Sequence, residues 1–89
     1  MTFEWDAQKA ARNLVKHRVS FTEAETAFGD PLGRITTDPR HSIDEIRYAL
    51  LGFSSAGRLL AVMFTERAES IRIISARRAT PRERRDYEG

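Results

Sequence analysis

Residues 45–65 read Glu45-Ile46-Arg47-Tyr48-Ala49-Leu50-Leu51-Gly52-Phe53-Ser54-Ser55-Ala56-Gly57-Arg58-Leu59-Leu60-Ala61-Val62-Met63-Phe64-Thr65. Two apolar runs, 45–53 and 58–65, flank the small polar tetrad Ser54-Ser55-Ala56-Gly57. Four such residues ending in glycine suit a hairpin loop, so the runs are expected as antiparallel strands. A second tight connection at 66–69 leads into 70–77, which alternates well enough for a third strand. Three consecutive strands with short loops predict an antiparallel meander. The β-prone piece 34–37 would extend it to four strands, and Asp38-Pro39-Arg40-His41-Ser42 reads as a loop.

Towards the N-terminus the pattern becomes helical. Phe3-Glu4-Trp5 has the alternation of a brief edge strand, and Trp5 is expected to anchor that end to the core. Asp6 is a plausible N-cap for a helix with Ala7, Ala10, Ala11 and Leu14 on its apolar face. Lys9, Asn13 and Lys16 lie on the opposite face, and His17 closes the helix where cations suit the dipole. Ser20-Phe21-Thr22-Glu23 matches a reciprocal capping box for a second helix presenting Phe21, Ala24, Ala27 and Phe28. That helix should stop at Gly29-Asp30-Pro31. At the other end, Thr80-Pro81-Arg82-Glu83 is a further capping box with proline at the first helical position, opening a short C-terminal helix. Helices segregated from an antiparallel sheet give an α+β fold, expected as one domain over residues 1–89.

Composition narrows the function classes. The chain has 89 residues and no cysteine, so disulfides and thiolate metal sites are excluded. The first residues lack a basic stretch followed by an apolar run, and no apolar segment approaches the ~20 residues needed to span a bilayer. A cytoplasmic location and no membrane partner are expected. The formal charge is only +2, but of the 15 cationic residues thirteen are Arg, and seven of those fall within 67–85. An arginine fork grips phosphate bidentately at any working pH. Arginines threaded through a strand are held more firmly than those in a tail, which points to a phosphate-reading surface with RNA or DNA as ligand. Gly-rich phosphate loops, Cys/His ligand clusters and a Ser-His-Asp arrangement are missing, so no cofactor or metal is expected.

The chain resembles the BrnT family of type II toxin–antitoxin ribonucleases. The likeness runs through Phe3-Glu4-Trp5-Asp6, Lys9, Asn13, Lys16-His17, Val19-Ser20-Phe21, Glu23-Ala24, Phe28, Asp30-Pro31 and Glu45-Ile46-Arg47. It closes with Ile71-Arg72-Ile73-Ile74-Ser75-Ala76-Arg77-Arg78-Ala79, Glu83-Arg84 and Tyr87. In the family the Lys-His pair is usually followed by glycine, where this chain has Arg18. The resemblance implies a RelE-like fold and a metal-independent endoribonuclease that inhibits translation, acting on mRNA either free or on the ribosome. It also implies a BrnA-like antitoxin, with operator DNA bound only through the antitoxin complex.

Cleavage by attack of the RNA 2′-hydroxyl on the adjacent phosphorus needs a base, cations for the charge growing on the phosphoryl oxygens, and an acid for the 5′ leaving oxygen. Arg77, closing the last strand, is the first candidate for charge stabilisation, followed by Arg47 and Arg67. His17 titrates near neutrality and suits acid or base work. Glu45, from the matched Glu-x-Arg fragment, and Tyr87 are further candidates. Lys16, Arg72, Arg78 and Arg84 are expected to contact RNA phosphates. His41 reads as a solvated loop histidine. Each candidate has a structural alternative: surface ion pairs for the arginines, a helix-ending bond for His17, a cap on the core for Tyr87. The whole chain likewise has one, a non-catalytic basic module that binds RNA or an acidic protein.

Overall fold

The computed structural model describes residues 1–37 and 45–89. The expected loop around Pro39 and the solvated His41 lie outside those residues. Within them the chain forms strand β1 (Thr2–Glu4), helices α1 (Ala7–His17) and α2 (Phe21–Thr26), and a 3-10 turn at Ala27–Gly29. Strands β2 (Arg34–Thr37), β3 (Arg47–Phe53), β4 (Leu59–Arg67) and β5 (Ser70–Arg78) follow, then helix α3 (Pro81–Glu88). The architecture is α+β, with a mixed sheet in the order β1-β5-β4-β3-β2.

The meander and the pairing of β2 on β3 form as expected, but the sheet has five strands rather than three or four. The added strand is β1, one residue earlier than expected. It pairs parallel to β5, Phe3 facing Ile71, so the sheet is not purely antiparallel. Parallel pairing joins segments distant in sequence and leaves no local turn signal. The hairpin loop after β3 closes through Ser54, whose N–H donates to the Arg58 carbonyl, and Gly57 takes φ 77°, a conformation cheap for glycine. The β4–β5 turn is tighter than expected, two residues, and places Ala68 at φ 52°.

Helices α1 and α2 cover one face of the sheet. Val19, Phe21, Ala24 and Ala27 pack there against Leu50, Leu60, Val62, Phe64, Ile71, Ile73 and Ala76. Burying each large side chain contributes roughly 1.5–3 kcal/mol. Trp5 meets Phe21 edge-on at 5.9 Å, anchoring the N-terminus as expected. Gly52 is a close-approach position: a Cβ there would lie 3.0 Å from the Ala27 carbonyl, so the 3-10 turn sits directly on β3.

Three local expectations are corrected. The buried position of α1 is Asn13, while Leu14 is 50% exposed; of the expected apolar face, Ala10 packs against the core beside Asn13. The Ser20 box is half formed: Ser20 accepts from the Glu23 N–H, but the Glu23 carboxylate is taken by Arg58 and the Ser54 hydroxyl. These contacts hold the carboxyl of Glu23 below its usual range, chiefly through Arg58. Finally, α2 ends at Thr26, and the last turn towards Gly29 is 3-10. The Thr80 box is complete, with both reciprocal bonds. No helix among the described residues is long and apolar enough to cross a membrane.

Candidate functional site

Alternate residues of β3, β4 and β5 face away from α1 and α2, and the register aligns them in rows across the sheet. Arg47 faces Thr65, Thr65 faces Arg72, and Arg72 faces Glu4, one row spanning four strands. At the end of β4, Arg67 meets Glu45, two residues before β3, in an ion pair of 3.2 Å. On the other side of the Arg47 row comes Thr36, Ala49, Met63 and Ser75, and then Arg34, Leu51, Ala61 and Arg77.

Arg72 and Arg77 share this face for a reason that simple alternation misses. Five residues apart, they belong on opposite faces of a regular strand. The register shifts between Met63 and Phe64, which face Ser75 and Ile73, leaving Ile74 as the extra residue of a β-bulge. The bulge resets the alternation of β5. Both arginines thereby reach the open face, while Ile73 and Ala76, three apart, both stay in the core.

His17 and Lys16 stand at the rim. With Lys9, Arg12 and Asn13 they line a cleft of about 300 Å³ whose other wall is Ile74 and Ser75, the bulge itself. Asn13, one turn before His17, fixes this edge. Its Nδ2 donates to the carbonyls of Val19 (2.9 Å) and Ala76 (2.8 Å), and its Oδ1 accepts from the Ala76 N–H at 3.1 Å. Arg18 takes the left-handed C-cap at φ 59°, ψ 31° despite its side chain, donating its N–H to the Leu14 carbonyl. Its own carbonyl accepts from Arg58.

The remaining candidates gather where α3 docks. Arg77 grips Glu83 with both terminal nitrogens, at 2.7 and 3.0 Å. That fork is the main reason the Glu83 carboxyl is pulled down to about 2, and it raises Arg77 in turn. Tyr87 donates its hydroxyl to Asp30 Oδ2 at 2.6 Å and packs edge-on against Phe53. The bond raises the phenol of Tyr87, while Asp30 is lowered first by the Phe53 N–H and then by Tyr87. Arg84 lies over the Phe53 ring at 5.7 Å. Arg78, at the exposed end of β5, pairs across to Leu60 and so projects on the opposite side from Arg77.

The structure therefore brings Glu45, Arg47, Arg67 and Arg72 together at one end of the open face. Arg77, Arg84 and Tyr87 stand at the other, and His17 and Lys16 flank the middle. Along β4, the partners of Arg47 and Arg77 are four residues apart, about 13 Å. Phe53, against which Tyr87 packs, is six residues from Arg47 on β3, about 20 Å. The six proposed catalytic residues do not close into a single pocket around Arg77.

Two features of this surface escaped sequence reasoning. Glu4 pairs with Arg72 at 2.9 Å, visible only once the parallel register of β1 is known. Thr65, fully buried between Arg47 and Arg72, has a hydroxyl with no partner among the described residues. Its apolar neighbours Met63 and Phe64 disguised it as the end of a hydrophobic run. Among the described residues, no group of three His, Cys, Asp or Glu stands ready to hold a metal ion.

Comparison with known proteins converges on one family. A family model described as "Ribonuclease toxin, BrnT, of type II toxin-antitoxin system" matches residues 5–83. The crystal structure of the Brucella abortus ribonuclease toxin BrnT superposes with a TM-score of 0.66 at 25% sequence identity, covering 90% of this chain and 97% of that one. No curated protein sequence matches. With most of its length matched by the family model and its fold superposing on that toxin over 90% of the chain, the chain belongs to the BrnT family of ribonuclease toxins of type II toxin–antitoxin systems.

Proposed function

We propose that this protein is a metal-independent endoribonuclease with a RelE-like reaction, and that the open face of its sheet holds the scissile RNA phosphodiester. The observation carrying this reading is the convergence of Arg47, Arg67 and Arg72 on one end of that face. Guanidinium groups there supply the positive charge that the phosphoryl oxygens demand as the 2′-oxygen attacks. The 2′-oxygen bonds to phosphorus, the 5′-oxygen leaves, and the products are a 2′,3′-cyclic phosphate and a 5′-hydroxyl. His17, at the rim beside Ser75, moves the proton, with Lys16 holding a neighbouring phosphate. Glu45 orients Arg67. Arg77 acts through Glu83, keeping α3 docked, and Tyr87 acts through Asp30. Arg84 contributes outlying charge to the RNA path, whereas Arg78, on the opposite side of the sheet, takes no part in it.

The carboxylates beside these arginines do not argue against RNA binding. The Arg67–Glu45 and Arg72–Glu4 side chains are 30–52% exposed, a setting in which ion pairs contribute about 0–1 kcal/mol. Exchanging such a partner for a phosphodiester costs little. A BrnA-like antitoxin would neutralise the toxin by laying acidic side chains across the same face, and operator DNA would be reached only through that complex.

The test is cleavage of free RNA by the purified protein in the presence of chelator, with analysis of the product ends. Cyclic phosphate ends that depend on Arg47 support the reading. RNA binding without cleavage, on or off the ribosome, favours a non-catalytic module. An antitoxin stripped of acidic residues at its contact but still protective would refute the neutralisation model.

A further inference from the structure

A cleft of about 590 Å³ lies where α3 overhangs the open face. It adjoins the arginine row, and of its lining residues only Glu83, held by Arg77, already has a role. Its floor is Ala49, Leu51 and Ala61, small or flat apolar groups on adjacent strands, and its walls include Arg34, Arg85 and Asp86. Elsewhere on this face the corresponding positions carry bulkier side chains, Met63 and Phe53. The two alanines are what leave room for a planar ring.

We infer that this cleft is a base-binding subsite selective for guanine, next to the phosphate held by the Arg47–Arg72 row. The inference rests on reading the open face as the RNA surface. Three observations carry it. An apolar floor receives a nucleobase face, as apolar side chains do where a base is held in a protein pocket. Arg34 and Arg85, which line the cleft, suit the sugar–phosphate of a bound nucleotide. A cleft that also presents a carboxylate is ill suited to bare phosphate and well suited to a base edge rich in donors. Glu83 is already committed to Arg77 and the Thr80 N–H, so Asp86 is the carboxylate assigned to the ligand.

Among the four bases, guanine alone offers two adjacent donors, N1–H and N2–H, that fit the two oxygens of a carboxylate side by side. Adenine and cytosine set a ring acceptor beside their amino group, and uracil sets carbonyls beside its single N–H; each turns a lone pair towards the carboxylate. Ala49 and Met63 lie two residues beyond the Arg47–Thr65 row, about 6.6 Å along the strands, so the base would neighbour the gripped phosphate.

The experiment is an NMR titration of the intact protein with guanosine, adenosine, cytidine and uridine 3′-monophosphates, following the amides of Ala49, Leu51, Ala61 and Asp86. Guanosine monophosphate is expected to bind about tenfold more tightly than the others, with the largest shifts at these residues. Asp86→Asn should erase that preference, and Ala49→Leu, which fills the floor, should weaken all four nucleotides. Equal affinity for the four, shifts centred elsewhere, or an unchanged preference in Asp86→Asn overturns the inference. Because the titration needs no cleavage, a protein that selects guanosine in this way yet fails to cut RNA supports the subsite and refutes the catalytic reading alone.

Discussion

The side chain of Asn13 bonds both the N–H and the carbonyl of Ala76, doing for the second half of β5 what β1 does for the first. β1 covers β5 only from Ser70 to Arg72, so the strand beyond would otherwise present an open edge. Asn13→Ala removes three hydrogen bonds and leaves buried backbone groups of Ala76 unpaired. Each such group costs about 1–3 kcal/mol, so a loss of about 3 kcal/mol is expected, read as a lower urea midpoint. Asn13→Asp should cost at least as much, because an oxygen would then face the carbonyls of Val19 and Ala76. A variant as stable as the parent would show that the edge tolerates solvent.

Among the described residues, two in the left-handed region are not glycine. Arg18 at φ 59° and Ala68 at φ 52° each carry a Cβ where only glycine is unstrained. Arg18→Gly and Ala68→Gly should each stabilise the protein by about 1 kcal/mol despite glycine's freer unfolded chain. In a domain of this size that raises the melting temperature by about 4–8 °C. The effects should add, since the helix end and the β4–β5 turn share no partner. A fall in melting temperature for Arg18→Gly would mean that its side chain contributes more than its backbone costs.

Glu83 makes α3 sensitive to acid. Its folded carboxyl titrates at about 2 against an ordinary 4.5, mainly because of Arg77. The folded state thus favours the ionised form, and the stability so gained is complete above pH 4.5 and lost as pH falls towards 2. The side chains of the pair are 35% and 29% exposed, so screening reduces the contribution to about 1 kcal/mol. Glu83→Gln keeps a capping side chain at the same position but should flatten the stability profile across that window. Denaturation midpoints at several pH values measure this; parallel profiles for parent and variant would remove Glu83 from the account.

Much of the fold was readable because it is written locally. Caps at Asp6, Ser20 and Thr80, the break at Gly29-Asp30-Pro31 and the Ser54–Gly57 loop each state their structure within a few residues. What escaped depends on distant partners. The α1 face led by Leu14 looked like the buried one because apolar spacing was the only guide, whereas Asn13 is drawn inward by backbone groups 63 residues away. Arg67 and Glu45 fall opposite each other once Arg47 faces Thr65, but Arg72 and Arg77 need the Ile74 bulge to share a face. No residue type announces that bulge. Tyr87, placed among catalytic candidates by its position near the chain end, meets Asp30 only through tertiary docking.

The two ends of the arginine face should behave differently in a cleavage assay. If Arg47 and Arg72 touch the scissile phosphate, Arg47→Ala and Arg72→Ala should each lower kcat by about 10²–10³ without altering the fold, as loss of a preorganised charge partner does. Arg77 is expected to work through Glu83, so Arg77→Ala and Glu83→Gln should have similar, smaller effects, and the double variant should be no worse than either alone. A full cycle of these four proteins, with circular dichroism to confirm folding, separates the cases. If Arg77→Ala abolishes cleavage while Glu83→Gln leaves it intact, Arg77 itself reaches the phosphate, and the centre of the site moves from the Arg47 row towards α3.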